Sequence, residues 1–310
     1  MARLAEALER ASRRREHEIN MPAHVPAPIE PAPRTHVSRE PESRMVFREP
    51  ESKVADPAAT PLLGFPTGPM EKAAWRTDPE LMGKLVGTEG VSSGAIEQYR
   101  KLAATLHHAQ AERGISVVMT ASSLPGEGKS LTAINLALTL ADSYHRRVLL
   151  VDADLRRPTV QRVFGLPTFN GLDEGLKAEH DRPMPLTQLS ERLFALPAGR
   201  PDSDPLSGLT SERMRRFVQQ ARTAFDWVVI DTPPVTLLPD ANLLAARVDG
   251  VLLVVRAGKA PFQLVKRTVD TLGHERILGI VMNAVDYAHD RNAGGYYEYY
   301  GYGYYGAGKK

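Results

Sequence analysis

From Ile115 onward the chain alternates short, largely apolar runs with longer stretches whose apolar positions fall three and four apart. The runs are residues 115–120, 148–152, 193–196, 227–231, 251–255 and 279–283. They are rich in Val, Ile and Leu, the residues that suit extended backbone. Between the first two, residues 130–141 set Leu131, Ile134, Leu138 and Ala141 on one helical face. A strand that is apolar at every position, rather than at alternate ones, is covered on both sides. Such strands separated by helices predict a parallel sheet with crossover helices on both faces. The pattern therefore predicts an α/β domain over residues 86–290.

On either side the pattern stops. Residues 1–85 hold half of the chain's 24 prolines. Such a segment buries too little apolar surface to offset its ordering entropy, and is expected to be largely disordered. Leu4, Leu8 and Ala11 recur at helical spacing, which predicts a short amphipathic helix at the start. At the other end, residues 291–310 consist largely of Gly and Tyr, with no period that would bury a face. That tail is expected to be flexible and exposed.

Composition narrows the picture only a little. The 42% of hydrophobic residues is enough for a sizeable core, and the formal net charge of +2 gives no argument for nucleic acid. No nucleic-acid partner is expected. The absence of Cys excludes a disulfide framework and thiolate-bound metals. No apolar run reaches the ~18 residues of a membrane span. Residues 1–10 carry acids and lack the continuous apolar core of a secretory signal. The expected location is cytoplasmic.

The candidate chemistry lies in Ser123-Leu-Pro-Gly-Glu-Gly-Lys-Ser130, between a predicted strand and a predicted helix. That is the context of a phosphate-binding loop. Gly126 and Gly128 allow the tight turn that aims backbone N–H groups at phosphate oxygens, and the helix N-terminus adds its dipole. Pro125, Gly126, Glu127, Gly128, Lys129, Ser130 and Leu131 are the expected ATP contacts. Lys129 is placed to reach the β- and γ-phosphates, and the Ser130 hydroxyl to hold Mg²⁺. One position departs from G-x-x-x-x-G-K-[ST]: Ser123 stands at the first glycine. Acidic residues close two other predicted strands, Asp152 and Asp154 after one and Asp231 on the other. Ligands of open α/β sheets bind outside the carboxyl ends of strands, so the three carboxylates are expected to converge on the metal and γ-phosphate. Any one of them alone reads equally as a helix cap or turn residue.

Together these motifs resemble the bacterial tyrosine kinase (BY-kinase) family, relatives of the MinD/ParA-type P-loop ATPases. The resemblance spans roughly residues 95–286. Residues 123–130 resemble the family's Walker A motif, 151–158 its Walker A′ motif and 229–234 its Walker B motif. The resemblance is strongest to cytoplasmic autokinases of exosortase-associated exopolysaccharide loci. It implies catalytic roles for Lys129, Asp152, Asp154 and Asp231, with Asp152 accepting or orienting the tyrosine proton. Ser130, Asp154 and Asp231 would hold Mg²⁺. It also assigns a purpose to the tail: Tyr296, Tyr297, Tyr299, Tyr300, Tyr302, Tyr304 and Tyr305 become autophosphorylation sites. Alone, the cluster reads equally as a low-complexity adhesive tail. Arg156 and Arg157 are open between a phosphate or neighbouring-subunit contact and plain surface charge. Family members assemble through a Glu-x-x-Arg-x-x-Arg helix, here Glu97 and Arg100 with Ala103 at the third position. The resemblance thus implies a homo-oligomer phosphorylating in trans. It also implies a separate membrane adaptor of the polysaccharide co-polymerase type, holding the kinase peripherally at the inner face of the plasma membrane. The alternative is a MinD/ParA-like positioning ATPase without kinase activity. Those proteins carry Lys early in the loop, where this chain has Leu124.

Overall fold

The computed structural model describes residues 60–67, 81, 83–236 and 240–285. The predicted helix through Leu4, Leu8 and Ala11 and the whole tyrosine tail lie outside the described residues.

The strands are β1 (Leu63–Gly64), β2 (Val117–Ser122), β3 (Val148–Asp152), β4 (Met184–Pro185), β5 (Thr187–Gln188), β6 (Leu193–Leu196), β7 (Trp227–Asp231), β8 (Gly250–Arg256) and β9 (Ile277–Asn283). The helices are α1 (Ser93–Arg113), α2 (Lys129–Asp142), α3 (Val160–Phe164), α4 (Leu172–Lys177), α5 (Leu206–Thr210), α6 (Glu212–Ala224), α7 (Asp240–Ala245) and α8 (Phe262–Leu272). Seven strands form one sheet in the order β5-β6-β3-β7-β2-β8-β9. Every pairing in it is parallel except β5 with β6. This is the mostly parallel α/β fold that the apolar runs predict.

Burial explains why the runs are continuous. Every residue of β2, β3, β6 and β7 is buried, because helices cover both faces. One core packs Met214, Phe217 and Ala221 of α6 and Leu244 of α7 against Met119, Leu149 and Ile230. The other packs Ala103 and Leu106 of α1 and Ile134 and Leu138 of α2 against Val118, Leu150 and Val229. Removing such a side chain from water contributes about 1.5–3 kcal/mol each. Helix α1 has definite ends: the Ser92 hydroxyl accepts from Ala95 N, and Gly114 closes it in a left-handed conformation at φ 67°.

Register is what matters for the site. Asp152 of β3 lies opposite Asp231 of β7, and Thr120 of β2 lies opposite Asp231 on its other side. Three adjacent strands therefore deliver their carboxyl ends, and two carboxylates, to one place.

Residues 60–67, grouped by composition with the N-terminal region, are part of this body. Leu62 is fully buried, β1 pairs with β4, and Gln220 of α6 accepts from Leu62 N at 2.7 Å. Phe65 packs with Phe194 and Phe225, and the Arg147 guanidinium lies over all three rings. Leu85 and Val86 are buried as well, with Val86 N donating to Asn135 Oδ1 of α2. The ordered body thus begins before the boundary at residue 86.

Candidate active site

The loop after β2 is held in shape from within and from outside. Gly126 and Gly128 have φ of 72° and 96°, where side chains are strained. A Cβ on Gly128 would also come within 2.0 Å of Asn283 Nδ2. The Glu127 carboxylate turns inward and is fully buried, accepting from Leu124 N at 2.6 Å and Arg256 N at 3.3 Å. Its side chain thus braces the loop, which leaves the backbone of Glu127 as the part that could meet phosphate.

A cavity of about 840 Å³ opens beside the loop. Pro125, Gly126, Gly128, Lys129, Ser130 and Leu131, all expected ATP contacts, line one side. Asp154, Arg157 and Arg162 line the other. Leu81 also borders it, from a stretch that the sequence assigned to the N-terminal region.

At the cavity floor the Lys129 ammonium lies 3.0 Å from Asp154 Oδ2, 3.4 Å from Asp231 Oδ1 and 3.1 Å from Ser130 Oγ. Burial pulls its pKa down, but Asp231 and Asp154 together outweigh that and hold it above the ordinary value. The lysine is therefore charged. Asp231 is fully buried, which raises its pKa against the opposing pull of Lys129. Its Oδ2 has no hydrogen-bond partner.

Asp152 lies beneath this group. Its Oδ2 accepts from Thr159 N and Val160 N, both at 2.8 Å, and its Oδ1 from Asp154 N at 3.2 Å. Burial first, and the Asp231 charge second, push its pKa up to about 8. An acid raised in this way keeps its proton in the folded chain after the unfolded chain has lost it. Stability then falls as pH rises from the unfolded value of 3.8 through about 8. Asp152→Asn is accordingly expected to flatten the decline in melting temperature across this window in nucleotide-free protein. Equal slopes in variant and wild type would contradict that assignment.

The remaining predicted residues divide. Arg156 borders the cavity while its guanidinium donates to Asp240 Oδ2 at 2.9 Å and to the Ser203 carbonyl. Arg157 faces the cavity. Glu97 and Arg100 are exposed and pair along α1 at 3.8 Å, while Ala103 is buried in the core beneath them. Sequence spacing gave no signal for Asn283, Thr268, Lys259 or Arg162, which the fold brings to the loop or cavity from distant segments.

Residues 115–305 match the ParA family model, described as NUBPL iron-transfer P-loop NTPase. The tyrosine-protein kinase YwqD of Bacillus subtilis (strain 168) is 35% identical over 190 residues, covering 60% of this chain and 80% of YwqD. The chain belongs to the bacterial tyrosine kinases. Its fold agrees: the kinase domain of VpsO superposes with a TM-score of 0.54 at 30% identity, over 63% of this chain and 100% of that domain. A longer relative, the succinoglycan biosynthesis transport protein ExoP of Rhizobium meliloti (strain 1021), is 36% identical over 178 residues. That match covers 55% of this chain and 22% of ExoP. Membership in this P-loop kinase family implies nucleotide binding. Among the described residues no helix is long and apolar enough to cross a membrane.

Proposed function

We propose that this kinase binds ATP with Mg²⁺ in the Lys129 cavity and transfers the γ-phosphoryl group to its own tail tyrosines, Tyr296 to Tyr305. The observation that carries the reading is the Lys129 ammonium, clamped by Ser130, Asp154 and Asp231 at the cavity floor. In this state the lysine is the counter-charge of the acidic cluster; with nucleotide present, the β- and γ-phosphates compete for it.

The residues also suit a divalent cation. Asp231 Oδ2 is buried and unpartnered, and it shares the floor with Asp154 and Ser130. Bound there by Ser130, Asp154 and Asp231, magnesium would neutralise phosphate charge. The protein's own contribution is positioning. Loop amides and Lys129 fix the γ-phosphoryl group while a bond forms to the tyrosine oxygen and the bond to the bridging oxygen breaks. The family resemblance supports Asp152 as the carboxyl that accepts or orients the phenol proton; because burial keeps it protonated towards neutral pH, orienting the phenol oxygen is the role that fits. Its Oδ1 carries only one bond, of 3.2 Å, and is the oxygen with capacity left for the phenol.

ExoP's role in succinoglycan transport supports a place for this kinase in exopolysaccharide or capsule biosynthesis, with a separate membrane partner of the co-polymerase type. Glu97 and Arg100, exposed on α1, are the candidate contacts of a homo-oligomer. The test is incubation of the purified chain with γ-labelled ATP and Mg²⁺, followed by mapping of the label. Label is expected on the C-terminal tyrosines. Label recovered only as free phosphate would overturn the kinase reading in favour of a simple ATPase.

A further inference from the structure

Ser123 occupies the Walker A position where the pattern has glycine. No conformational need for glycine exists there, since Ser123 is not among the residues of positive φ. Instead its side chain has a partner. Ser123 and Thr268 of α8 are both fully buried, and their hydroxyl oxygens lie 2.8 Å apart. Thr268 Oγ1 also lies 2.9 Å from the Leu264 carbonyl. A hydroxyl has one proton to donate, and a carbonyl can only accept. The arrangement that uses both protons sends that of Thr268 to Leu264 and that of Ser123 to Thr268.

We infer that the Ser123–Thr268 hydroxyl pair positions the nucleotide loop, fastening its first residue to α8 away from the cavity. Three further contacts come from the same β8–α8–β9 unit. Arg256 N donates to the Glu127 carboxylate at 3.3 Å, Lys259 Nζ to the Pro125 carbonyl at 2.5 Å and Asn283 Nδ2 to the Glu127 carbonyl at 2.8 Å. The unit therefore grips the loop near its start, middle and end. Neither hydroxyl touches the cavity, so the pair acts on nucleotide only through the loop's shape. The inference rests on reading this loop as the nucleotide site.

The variants separate by their proton count. Thr268→Val keeps shape but leaves the buried Ser123 hydroxyl without an acceptor. Ser123→Ala removes that donor and leaves Thr268 paired with Leu264. Thr268→Ser keeps the acceptor. The full chain is titrated with a fluorescent ATP analogue and Mg²⁺, with melting temperature recorded for each variant. Thr268→Val is expected to weaken binding about tenfold, the scale of one unsatisfied buried polar group. Adding Ser123→Ala to Thr268→Val should recover affinity to that of Ser123→Ala alone, a loss of about threefold. Thr268→Ser should bind as wild type. Strictly additive losses, or Thr268→Val binding within about twofold of wild type, would overturn the inference. If Thr268→Val fails to fold, Ser123→Ala decides alone, because it strands no donor: unchanged affinity refutes the positioning role. A wild-type chain that does not bind the analogue would instead overturn the reading of the site itself.

Discussion

Replacing Lys129 with methionine is expected to abolish tyrosine phosphorylation, lowering turnover by on the order of 10²–10³-fold or more. Methionine is similar in length and fills similar space, so the change chiefly removes a charge. That charge has two duties in the geometry described above. In the nucleotide-free state it balances Asp154 and Asp231 at 3.0 and 3.4 Å. During transfer it stabilises charge moving on the γ-phosphoryl oxygens, inside a buried site where water cannot substitute for it. Without the ammonium, the acidic floor repels the phosphates that it must help to hold. The buried carboxylates are expected to take up protons in response. Lys129→Arg is expected to fail as well, because a planar guanidinium does not reproduce a compact ammonium seated among three oxygens. The measurement is phosphotyrosine formed per minute under saturating ATP, together with nucleotide affinity. A Lys129→Met chain that labels its tail at the wild-type rate would remove Lys129 from the mechanism.

The parts of the fold legible in the sequence are those whose signal is local. The long strands stood out because burial on both faces makes them apolar at successive positions, as in residues 148–151 and 227–230. The Walker A loop was legible because its phosphate-facing groups are consecutive residues. Asp152 and Asp231 were legible as strand-end acids, and the parallel register does set them opposite each other. What could not be read depends on long-range contact. Leu62 and Phe65 sit in proline-rich sequence, and only their distant partners Gln220, Phe194 and Phe225 turn them into core. Thr268 and Asn283 lie more than a hundred residues from the loop that they touch. Glu127 shows the other limit. A motif position gives the residue but not the direction of its side chain, and here the carboxylate is buried against Leu124 N and Arg256 N.

Changing all seven tail tyrosines, Tyr296, Tyr297, Tyr299, Tyr300, Tyr302, Tyr304 and Tyr305, to phenylalanine is expected to reduce incorporated phosphate to background. Phenylalanine keeps the ring and loses only the oxygen that attacks phosphorus, so nucleotide affinity should stay within about twofold of wild type. Eleven residue-to-residue steps lead from Val285, two residues beyond the loop-bracing Asn283, to Tyr296. Fully extended, they span at most about 40 Å. That reach allows a tail to serve its own site or a neighbour's, so distance alone does not choose between them. Mixing does. A Lys129→Met chain with an intact tail, incubated with an active chain carrying the seven phenylalanines, has acceptors on one molecule and a donor site on the other. Label on the Lys129→Met tail is expected, and its initial rate should rise with the concentration of the active partner. Each phosphotyrosine adds roughly −1.5 to −2 charges, so the labelled tail should be repelled by the acidic floor of the site and leave it for the next tyrosine. Absence of label in the mixture, with full labelling of wild type alone, would confine the reaction to single chains. Persistent label in the seven-phenylalanine chain by itself would move the acceptor out of the tail altogether.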